Sequence, residues 1–167
     1  MEHIERTLIV LKPDAVQRGL VGEVLTRFER VGLKIIGTKM VAPDNEHYYK
    51  HYEEIGQLKT RMGEEIFNNT LELMNSGPVI AIVLEGVEAI ALVRKLVGST
   101  EPKSAAPGTI RGDFSHMSYG YGDVAGKGFP NLIHASGDKD DAAKEIPHWF
   151  DEEELYNYGM LSEKFTR

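Results

Sequence analysis

Val79-Ile80-Ala81-Ile82-Val83-Leu84 is the longest strongly apolar run of the chain, and no polar residue alternates within it. An apolar run of this length without alternation predicts a strand that is buried on both faces. The turn sequence Asn75-Ser76-Gly77-Pro78 precedes the run, and residues 87–97 after it have the apolar content of a packed helix that ends at Gly98. We therefore expect the most buried strand of the sheet at residues 79–84.

Segments on both sides of this run have the patterns of further strands and helices. In residues 20–31 the apolar side chains recur at i, i+3, i+4 and i+7, and Gly32 stands where a left-handed C-terminal cap is expected. Pro147 should end the last helix, because proline lacks the N–H that a helix needs. The other predicted strands are residues 7–11, 34–41 and 131–135, and the predicted helices are residues 20–31, 45–54, 63–75 and 138–146.

The order of these elements is β-α-β, an inserted helical segment, β-α-β and a terminal helix. This order predicts an α+β fold of the ferredoxin-like (split βαβ) type, a four-stranded antiparallel sheet with helices packed on one face. Residues 99–130 are rich in glycine and proline and have no helical period, so we expect a long loop there. No linker or repeat divides the chain, and we predict a single domain over residues 1–167.

The composition excludes several classes of protein. The chain has 167 residues and no cysteine, which rules out disulfides, thiolate metal sites and a cysteine nucleophile. The 19 Lys and Arg against 26 Asp and Glu give a net charge of −7, so we expect no specific binding of nucleic acid. No apolar run approaches the roughly 20 residues of a membrane span, and the N-terminus lacks the order of a signal peptide. We expect a cytoplasmic protein that binds no membrane.

Three short motifs do not have the structural context that their usual function needs. Residues 120–125 match the G-x-G-x-x-A dinucleotide fingerprint, but no strand precedes them. Residues 126–128 lack the Ser or Thr of a phosphate-binding loop. His47 and His51 stand four apart on a predicted helix, but no third ligand has a suitable spacing, so we expect solvated surface side chains. The sequence predicts no metal site built from protein ligands.

Arg111 stands between two glycines in Pro107-Gly108-Thr109-Ile110-Arg111-Gly112-Asp113-Phe114. Its guanidinium group suits phosphate oxygens, and a flanking glycine lets a ligand approach the backbone. A salt bridge with a structural role explains the same residues equally well. The residues alone leave both interpretations open.

His134 stands at the end of the predicted strand 131–135, before a turn of small residues and a helix. Such a junction favours anions, because unpaired N–H groups and the helix dipole point outward there. Glu145 lies two turns inside that helix, where it could hold one imidazole nitrogen and leave the other free as a nucleophile. Taken alone, a histidine in this position is more often a hydrogen-bonded core residue than a nucleophile.

Six motifs together resemble those of the nucleoside diphosphate kinases in order and spacing, over nearly the whole chain. They are Lys12-Pro13-Asp14, Val16-Gln17-Arg18-Gly19, His51-Tyr52, Met74-Asn75-Ser76-Gly77-Pro78, residues 107–114 and residues 131–136. The resemblance implies a phosphotransferase with a ping-pong mechanism and broad base specificity. A nucleoside triphosphate gives its γ-phosphoryl group to His134, and the phosphohistidine passes it to a nucleoside diphosphate. The alternatives are a non-catalytic nucleotide-binding or interaction domain on this fold and a regulatory module that binds another small ligand.

The resemblance also implies roles for individual residues. His134 is the nucleophile through its δ nitrogen, Glu145 orients the ring through the other nitrogen, and Ser136 hydrogen-bonds Glu145. Tyr52 lines the site near the histidine. By the resemblance, the nucleotide phosphates contact Lys12, Arg94, Thr100 and Arg111. The ribose contacts Lys12 and Asn131, and the base contacts Phe67.

The resemblance implies magnesium as the cofactor, held mainly by nucleotide phosphates and water. It also implies a homo-oligomer, with a hexamer favoured over a tetramer. The chain departs from the common form of the family by about six extra residues near 58–66 and about ten near 115–128. The base-stacking phenylalanine of the family falls at Ile66 or Phe67. Ala135 and Gly137 replace a glycine and an aspartate of the family pattern.

Overall fold

A computed structural model describes residues 3–167 of the chain. The strands are β1 (Ile4–Leu11), β2 (Lys34–Val41), β3 (Val79–Val87) and β4 (Ile133–Ala135). They form one antiparallel sheet in the order β2-β3-β1-β4, so β3 and β1 are central and β4 is a short edge strand. The predicted α+β, ferredoxin-like fold is confirmed.

Helices connect the strands. The α-helices are α1 (Pro13–Gln17), α2 (Val21–Glu29), α3 (Asn45–Tyr49), α4 (Leu58–Met62), α5 (Glu64–Met74), α6 (Ala89–Val97), α7 (Ile110–Phe114), α8 (Tyr119–Ala125), α9 (Lys139–Trp149) and α10 (Glu163–Thr166). A π-helix spans Lys50–Ile55, and 3-10 turns span Pro102–Ser104 and Glu152–Glu154. Within residues 3–167 no helix has the length and apolar character needed to cross a bilayer.

The apolar side chains of β1 alternate between two packed layers. Ile9 and Leu11 lie in a layer with the apolar faces of α2 and α6. Leu8 and Val10 lie in a second layer on the opposite face, together with Trp149 of α9. Helices therefore cover both faces of the sheet, whereas the sequence predicted one covered face. Burial on both sides explains why the central strands have almost no polar alternation.

The segment 99–130 is not a continuous loop. It contains α7 and α8, which begin where the side chains of Thr109 and Ser118 accept hydrogen bonds from backbone N–H groups of the first turn. Helices of 5 and 7 residues are too short to show an apolar period, which is why the pattern missed them. The G-x-G-x-x-A sequence lies inside α8 and is therefore no strand-to-helix turn.

Two prolines lie within helices. Pro13 begins α1, because the first position of a helix needs no N–H donor. Pro147 was expected to end the last helix, but α9 continues to Trp149. Only two residues of α9 follow Pro147, so the missing N–H costs one hydrogen bond and the helix is not interrupted.

Candidate active site

His134, Ser136 and Glu145 form a hydrogen-bonded group where β4 meets α9. Oε1 of Glu145 lies 2.9 Å from Nε2 of His134, and the hydroxyl of Ser136 donates to Oε2 of Glu145 at 2.6 Å. Glu145 and Ser136 are buried, while the His134 side chain is 22% exposed. A carboxylate accepts hydrogen bonds only, so it keeps the imidazole proton on Nε2. The lone pair of Nδ1 is then free to attack an electrophile.

His51 packs directly against this group. Its ring meets the His134 ring edge to face, with 4.5 Å between centroids, and Trp149 donates its indole N–H to Nδ1 of His51 at 3.1 Å. His51 is only 2% exposed. Burial, with a smaller contribution from His134, lowers the pKa of His51 well below its usual value. The ring is therefore neutral, with its proton on Nε2.

The expectation that His47 and His51 are solvated surface side chains was wrong for His51. The π-helix turns His51 inward against Trp149 of α9, and a helical wheel with the usual period does not predict that turn. His47 instead stacks on His148, with 4.0 Å between ring centroids. The two histidines therefore do not form a pair. The adjacent Tyr52, which the resemblance placed in the site, was the available signal for His51.

Tyr52 follows His51 on the π-helix. Its hydroxyl oxygen is buried and has no hydrogen-bond partner among residues 3–167. Burial raises the pKa of Tyr52, and the neighbouring Tyr48 and Glu145 raise it further. The phenol therefore stays protonated and offers an unpaired O–H donor. An unpaired buried donor costs free energy that a bound ligand can recover.

Lys12, Asn131 and Thr100 are joined by hydrogen bonds. The Lys12 ammonium donates to Oδ1 of Asn131 at 2.7 Å, and the Asn131 amide donates to the backbone carbonyl of Thr100 at 3.0 Å. Lys12 is buried, and burial lowers its pKa to about 8, with a further lowering from Arg111. Asp14 partly offsets this lowering, but no carboxylate within residues 3–167 forms an ion pair with the Lys12 ammonium, so the buried charge favours an anion.

Two arginines lie along the outer edge of β4. The backbone carbonyls of Asn131 and Ile133 accept hydrogen bonds from the Arg111 guanidinium at 3.1 and 2.5 Å, and that of Ala135 accepts one from Arg94 at 3.4 Å. These alternate carbonyls point away from β1, so the arginines occupy the unpaired edge of the sheet. Two guanidinium groups are thereby held beside the strand that carries the histidine.

Arg111 has no ion pair within the described residues 3–167. Its partners are carbonyls, the third being that of Gly98 at 3.2 Å, so the salt-bridge interpretation is wrong. Burial and the nearby Arg94 lower the pKa of Arg111 to about 10, which leaves it charged at neutral pH. Three of its five N–H donors are used, and two remain for a ligand.

Gly112 was expected to give a ligand access to the backbone. A Cβ at this position would stand 2.1 Å from the carbonyl oxygen of Ala106, so the space belongs to the chain itself. The glycine lets the segment before α7 pass close to the helix, and this contact places the neighbouring Arg111.

Phe67 and Ile66 occupy different environments on α5. Phe67 is 4% exposed and meets the Tyr49 ring edge to face at 5.8 Å, whereas Ile66 is 38% exposed. The buried ring has little surface to offer a base. Base stacking by Phe67 stays a prediction that requires this ring to leave its contact with Tyr49.

The described residues 3–167 contain one group of potential metal ligands, formed by His51, His134 and Glu145, whose candidate atoms lie within 4.8 Å of one another. Its atoms are already used, since both oxygens of Glu145 hold hydrogen bonds and Nδ1 of His51 accepts from Trp149. A metal bound here would have to break these contacts. The group therefore fits nucleophile activation better than a resident metal.

Comparisons with known proteins agree with one another. The family model described as nucleoside diphosphate kinase matches residues 5–155. The nucleoside diphosphate kinase of Borreliella burgdorferi is 47% identical over 155 residues, 93% of this chain and 92% of that protein. That of Pyrococcus furiosus is 45% identical over 167 residues, 100% of this chain and 96% of that protein. A solved transition-state mimic of the Borrelia burgdorferi kinase with bound vanadate and ADP superposes with a TM-score of 0.94 at 45% identity, covering 98% of this chain and 96% of that one.

Proposed function

The chain belongs to the nucleoside diphosphate kinase family, and on that premise we propose which of its residues carry out the transfer. The enzyme moves the γ-phosphoryl group of a nucleoside triphosphate to a nucleoside diphosphate. We assign His134 as the group that holds the phosphoryl between the two half-reactions. The observation that carries the assignment is the contact of Nε2 with the buried Glu145, because it leaves Nδ1 as the free nucleophile.

In the first half-reaction the lone pair of His134 Nδ1 forms a bond to the γ-phosphorus. The bond from that phosphorus to the β–γ bridging oxygen breaks, and the nucleoside diphosphate leaves with the electron pair. Glu145 stabilises the positive charge that develops on the ring through the Nε2–H contact. The second half-reaction reverses these steps with another diphosphate. One site therefore serves both nucleotides in turn.

Lys12, Arg94 and Arg111 supply the positive charge that the transfer requires. The transition state is loose and carries its charge on the equatorial phosphoryl oxygens, so fixed cations are the main source of stabilisation. Hydrogen bonds to protein carbonyls hold both arginines in place before a ligand arrives.

The remaining contacts with the nucleotide are assigned to side chains around the same site. Tyr52 offers its unpaired hydroxyl to a phosphoryl oxygen, Thr100 contacts a phosphate, and Asn131 together with Lys12 binds the ribose hydroxyls. The hydrogen bonds that join Lys12, Asn131 and Thr100 support this assignment, since one ligand can reach all three. Base stacking is assigned to α5, at Phe67 or the more exposed Ile66.

Kinases of this family use a divalent cation, and we propose that Mg²⁺ enters bound to the nucleotide. Both oxygens of Glu145 are occupied by His134 and Ser136, so this carboxylate is not free to bind the ion. Nucleotide phosphates and water would hold it. When bound, Mg²⁺ would neutralise phosphate charge.

We propose a cytoplasmic homo-oligomer, with a hexamer preferred to a tetramer, built from one domain per chain. The family match over residues 5–155 and the single sheet support one domain. Highly exposed apolar side chains near the C-terminus, Leu161 and Phe165, support association between copies. Sedimentation of the purified protein distinguishes the oligomers.

The test of the assignment is phosphorylation of the protein itself. Incubation with γ-labelled ATP should label the wild-type chain with acid-labile, alkali-stable phosphate, and His134→Ala should remain unlabelled. His148→Ala is the matched control and should label normally, because the His148 ring stacks on His47 and its Nε2 contacts the His47 carbonyl oxygen. Label retained on His134→Ala would refute the assignment. A non-catalytic nucleotide-binding domain would leave both proteins unlabelled.

A further inference from the structure

Leu132, which lies directly before β4, has a backbone conformation that is rare for a residue with a bulky side chain. Its φ is positive, at 75°, and the Ile133 N–H donates to the Asn131 carbonyl oxygen at 2.9 Å. A positive φ at the centre of such an i to i+2 hydrogen bond is typical of a classic γ-turn, which is strained. Strain of this kind persists only where the surrounding structure holds it. The turn two residues before His134 must therefore be held by contacts from elsewhere in the fold.

The segment 12–14 holds both polar backbone groups of Leu132. The Lys12 N–H donates to the Leu132 carbonyl oxygen at 2.8 Å, and the Leu132 N–H donates to Oδ2 of Asp14 at 3.0 Å. The Leu132 side chain is fully buried in the layer that includes α2 and α6. Of these three contacts, the one with Asp14 is made by a polar side chain. It can be removed without changing the apolar core or the pairing of β1 with β4.

A single peptide group joins Asp14 to Arg111. The carbonyl of Asn131 and the N–H of Leu132 belong to the same planar peptide. Asp14 accepts from the N–H of this peptide, and Nε of Arg111 donates to its carbonyl oxygen at 3.1 Å. A change in the φ of Leu132 would rotate the peptide plane and move the acceptor of Arg111. The orientation of the guanidinium group therefore depends on the bond between Asp14 and Leu132.

Within residues 3–167 the Asp14 carboxylate forms no ion pair, although Lys12 and Arg111 both lie near it. Oδ2 is used by the Leu132 N–H, and Oδ1 is buried with no hydrogen-bond partner in that part of the chain. Burial lowers the pKa of both cations, and the charge of Asp14 opposes this lowering. Asp14 therefore favours the charged form of both side chains and takes none of their N–H donors from a phosphate.

We propose that Asp14 is a positioning residue for Arg111, which keeps the strained turn at Leu132 in the orientation that directs the free guanidinium N–H groups to the phosphoryl group. The proposal rests on the proposed function, in which Arg111 stabilises that group during its transfer to His134. A carboxylate suits this role, because a hydrogen bond to a charged acceptor is stronger than one between neutral groups. Without it, the backbone of Leu132 would relax toward a negative φ. The effect of Asp14 on the transfer should therefore depend on Arg111.

The experiment is a double-mutant cycle between Asp14 and Arg111. Arg111→Lys keeps a cation but removes the planar fork and the Nε–H that contacts the Asn131 carbonyl. Quenched-flow labelling with γ-labelled ATP gives the phosphorylation rate of His134 in the wild type, Asp14→Ala, Arg111→Lys and the double variant. Asp14→Ala should slow phosphorylation about tenfold in the wild-type background. In the Arg111→Lys background the same change should slow it less than about threefold, because the two residues act as a unit.

Two further variants separate positioning from a contribution to folding. Asp14 also lies in the first turn of α1, where an acid stabilises the helix dipole. Glu23→Ala removes an exposed acid from the first turn of α2 and should leave the phosphorylation rate unchanged. Asp14→Asn keeps an oxygen acceptor but loses the charge, so it should slow phosphorylation only about threefold. Thermal melting confirms that each variant is folded, and Asp14→Asn replaces Asp14→Ala in the cycle should the latter not fold.

Two results would overturn the proposal. Equal slowing by the Asp14 variant in both backgrounds would mean that Asp14 does not act through Arg111. An unchanged rate in a folded Asp14 variant would mean that the turn keeps its orientation without the carboxylate. Failure of the wild type to become labelled would instead refute the proposed function, so the two failures are distinguishable.

Discussion

The hydroxyl of Ser136 donates a 2.6 Å hydrogen bond to the oxygen of Glu145 that does not contact His134. The carboxylate is therefore held at both oxygens, one by the histidine and one by the serine, and has no free rotation. Ser136 also accepts a hydrogen bond from the Leu8 N–H at 3.2 Å, which ties the group to β1. The imidazole is oriented by two residues in series.

Ser136→Ala should slow phosphorylation of His134 by about tenfold, because a hydrogen bond to a charged group is worth about 1.5–3 kcal/mol. Quenched-flow labelling with γ-labelled ATP measures the rate. The ADP dissociation constant should stay within about twofold, since Ser136 reaches no ligand. The buried Leu8 N–H loses its acceptor, so the free energy of unfolding should fall by about 1–3 kcal/mol. An unchanged phosphorylation rate in the folded variant would argue against a role for Ser136 in orientation.

Glu145→Gln should slow phosphorylation by at least about a hundredfold. Ser136 would donate to the amide oxygen and turn the NH2 group toward His134, where it donates to Nε2. The imidazole proton then moves to Nδ1, and the nucleophilic lone pair is lost. Single-turnover labelling measures the effect, with the exposed Glu153→Gln as a control of the same chemistry. A large rise in the ADP dissociation constant would contradict this account, which predicts almost no change.

ADP affinity should fall above pH 8. The pKa of Lys12 is lowered to about 8 by burial and Arg111, so the free enzyme loses this charge as the pH rises through that value. A bound phosphate favours the charged form, so the ADP dissociation constant should rise by about tenfold per pH unit above pH 8. Calorimetry at pH 7, 8 and 9 measures it.

The stability should respond to Lys12 in the opposite direction. The folded-state pKa lies below the unfolded value, so the charged form destabilises the fold below about pH 8, and this penalty disappears as the pH rises.

Lys12→Arg keeps its charge throughout this range and is the control for the ADP measurement. Its ADP affinity, though weaker, should be flat from pH 7 to 9. A wild-type affinity equally flat would mean that Lys12 does not meet phosphate.

Two glycine substitutions should have opposite effects on the free energy of unfolding. Gly112→Ala should destabilise by about 1–3 kcal/mol, because its Cβ would meet the Ala106 carbonyl oxygen at 2.1 Å. Gly120→Ala, in α8 with nothing within 4 Å, should be neutral or stabilising by up to about 1 kcal/mol. Urea unfolding compares them. Gly112→Ala should also lower activity by displacing Arg111, and a fully active, stable variant would refute the proposed packing role.

Local spacing explains why the hydrogen-bonded group was predictable from the sequence. A short loop and two turns of α9 separate His134 from Glu145 along the chain. A strand that leads directly into a helix therefore brings the two side chains together. The central strands were equally visible, because an unbroken apolar run such as residues 79–84 has few alternatives. The short capped helices of the segment 99–130 left no comparable pattern.

Contacts between distant segments were not predictable in this way. His51 reaches His134 across 83 positions, through a π-helix whose period differs from the one that sequence patterns assume. Gly112 likewise could not be distinguished from a ligand-binding glycine, because the Ala106 carbonyl that occupies its space is brought there by a turn.

The arginines along the outer edge of β4 also affect how the protein meets other molecules. An uncovered strand edge is a template on which strands of other molecules can pair. Arg94 and Arg111 cover that edge with bulky cations, so their removal would expose carbonyls of the strand that holds His134. Alanine at either position is therefore expected to make the protein prone to aggregation as well as inactive, and light scattering would separate these two defects.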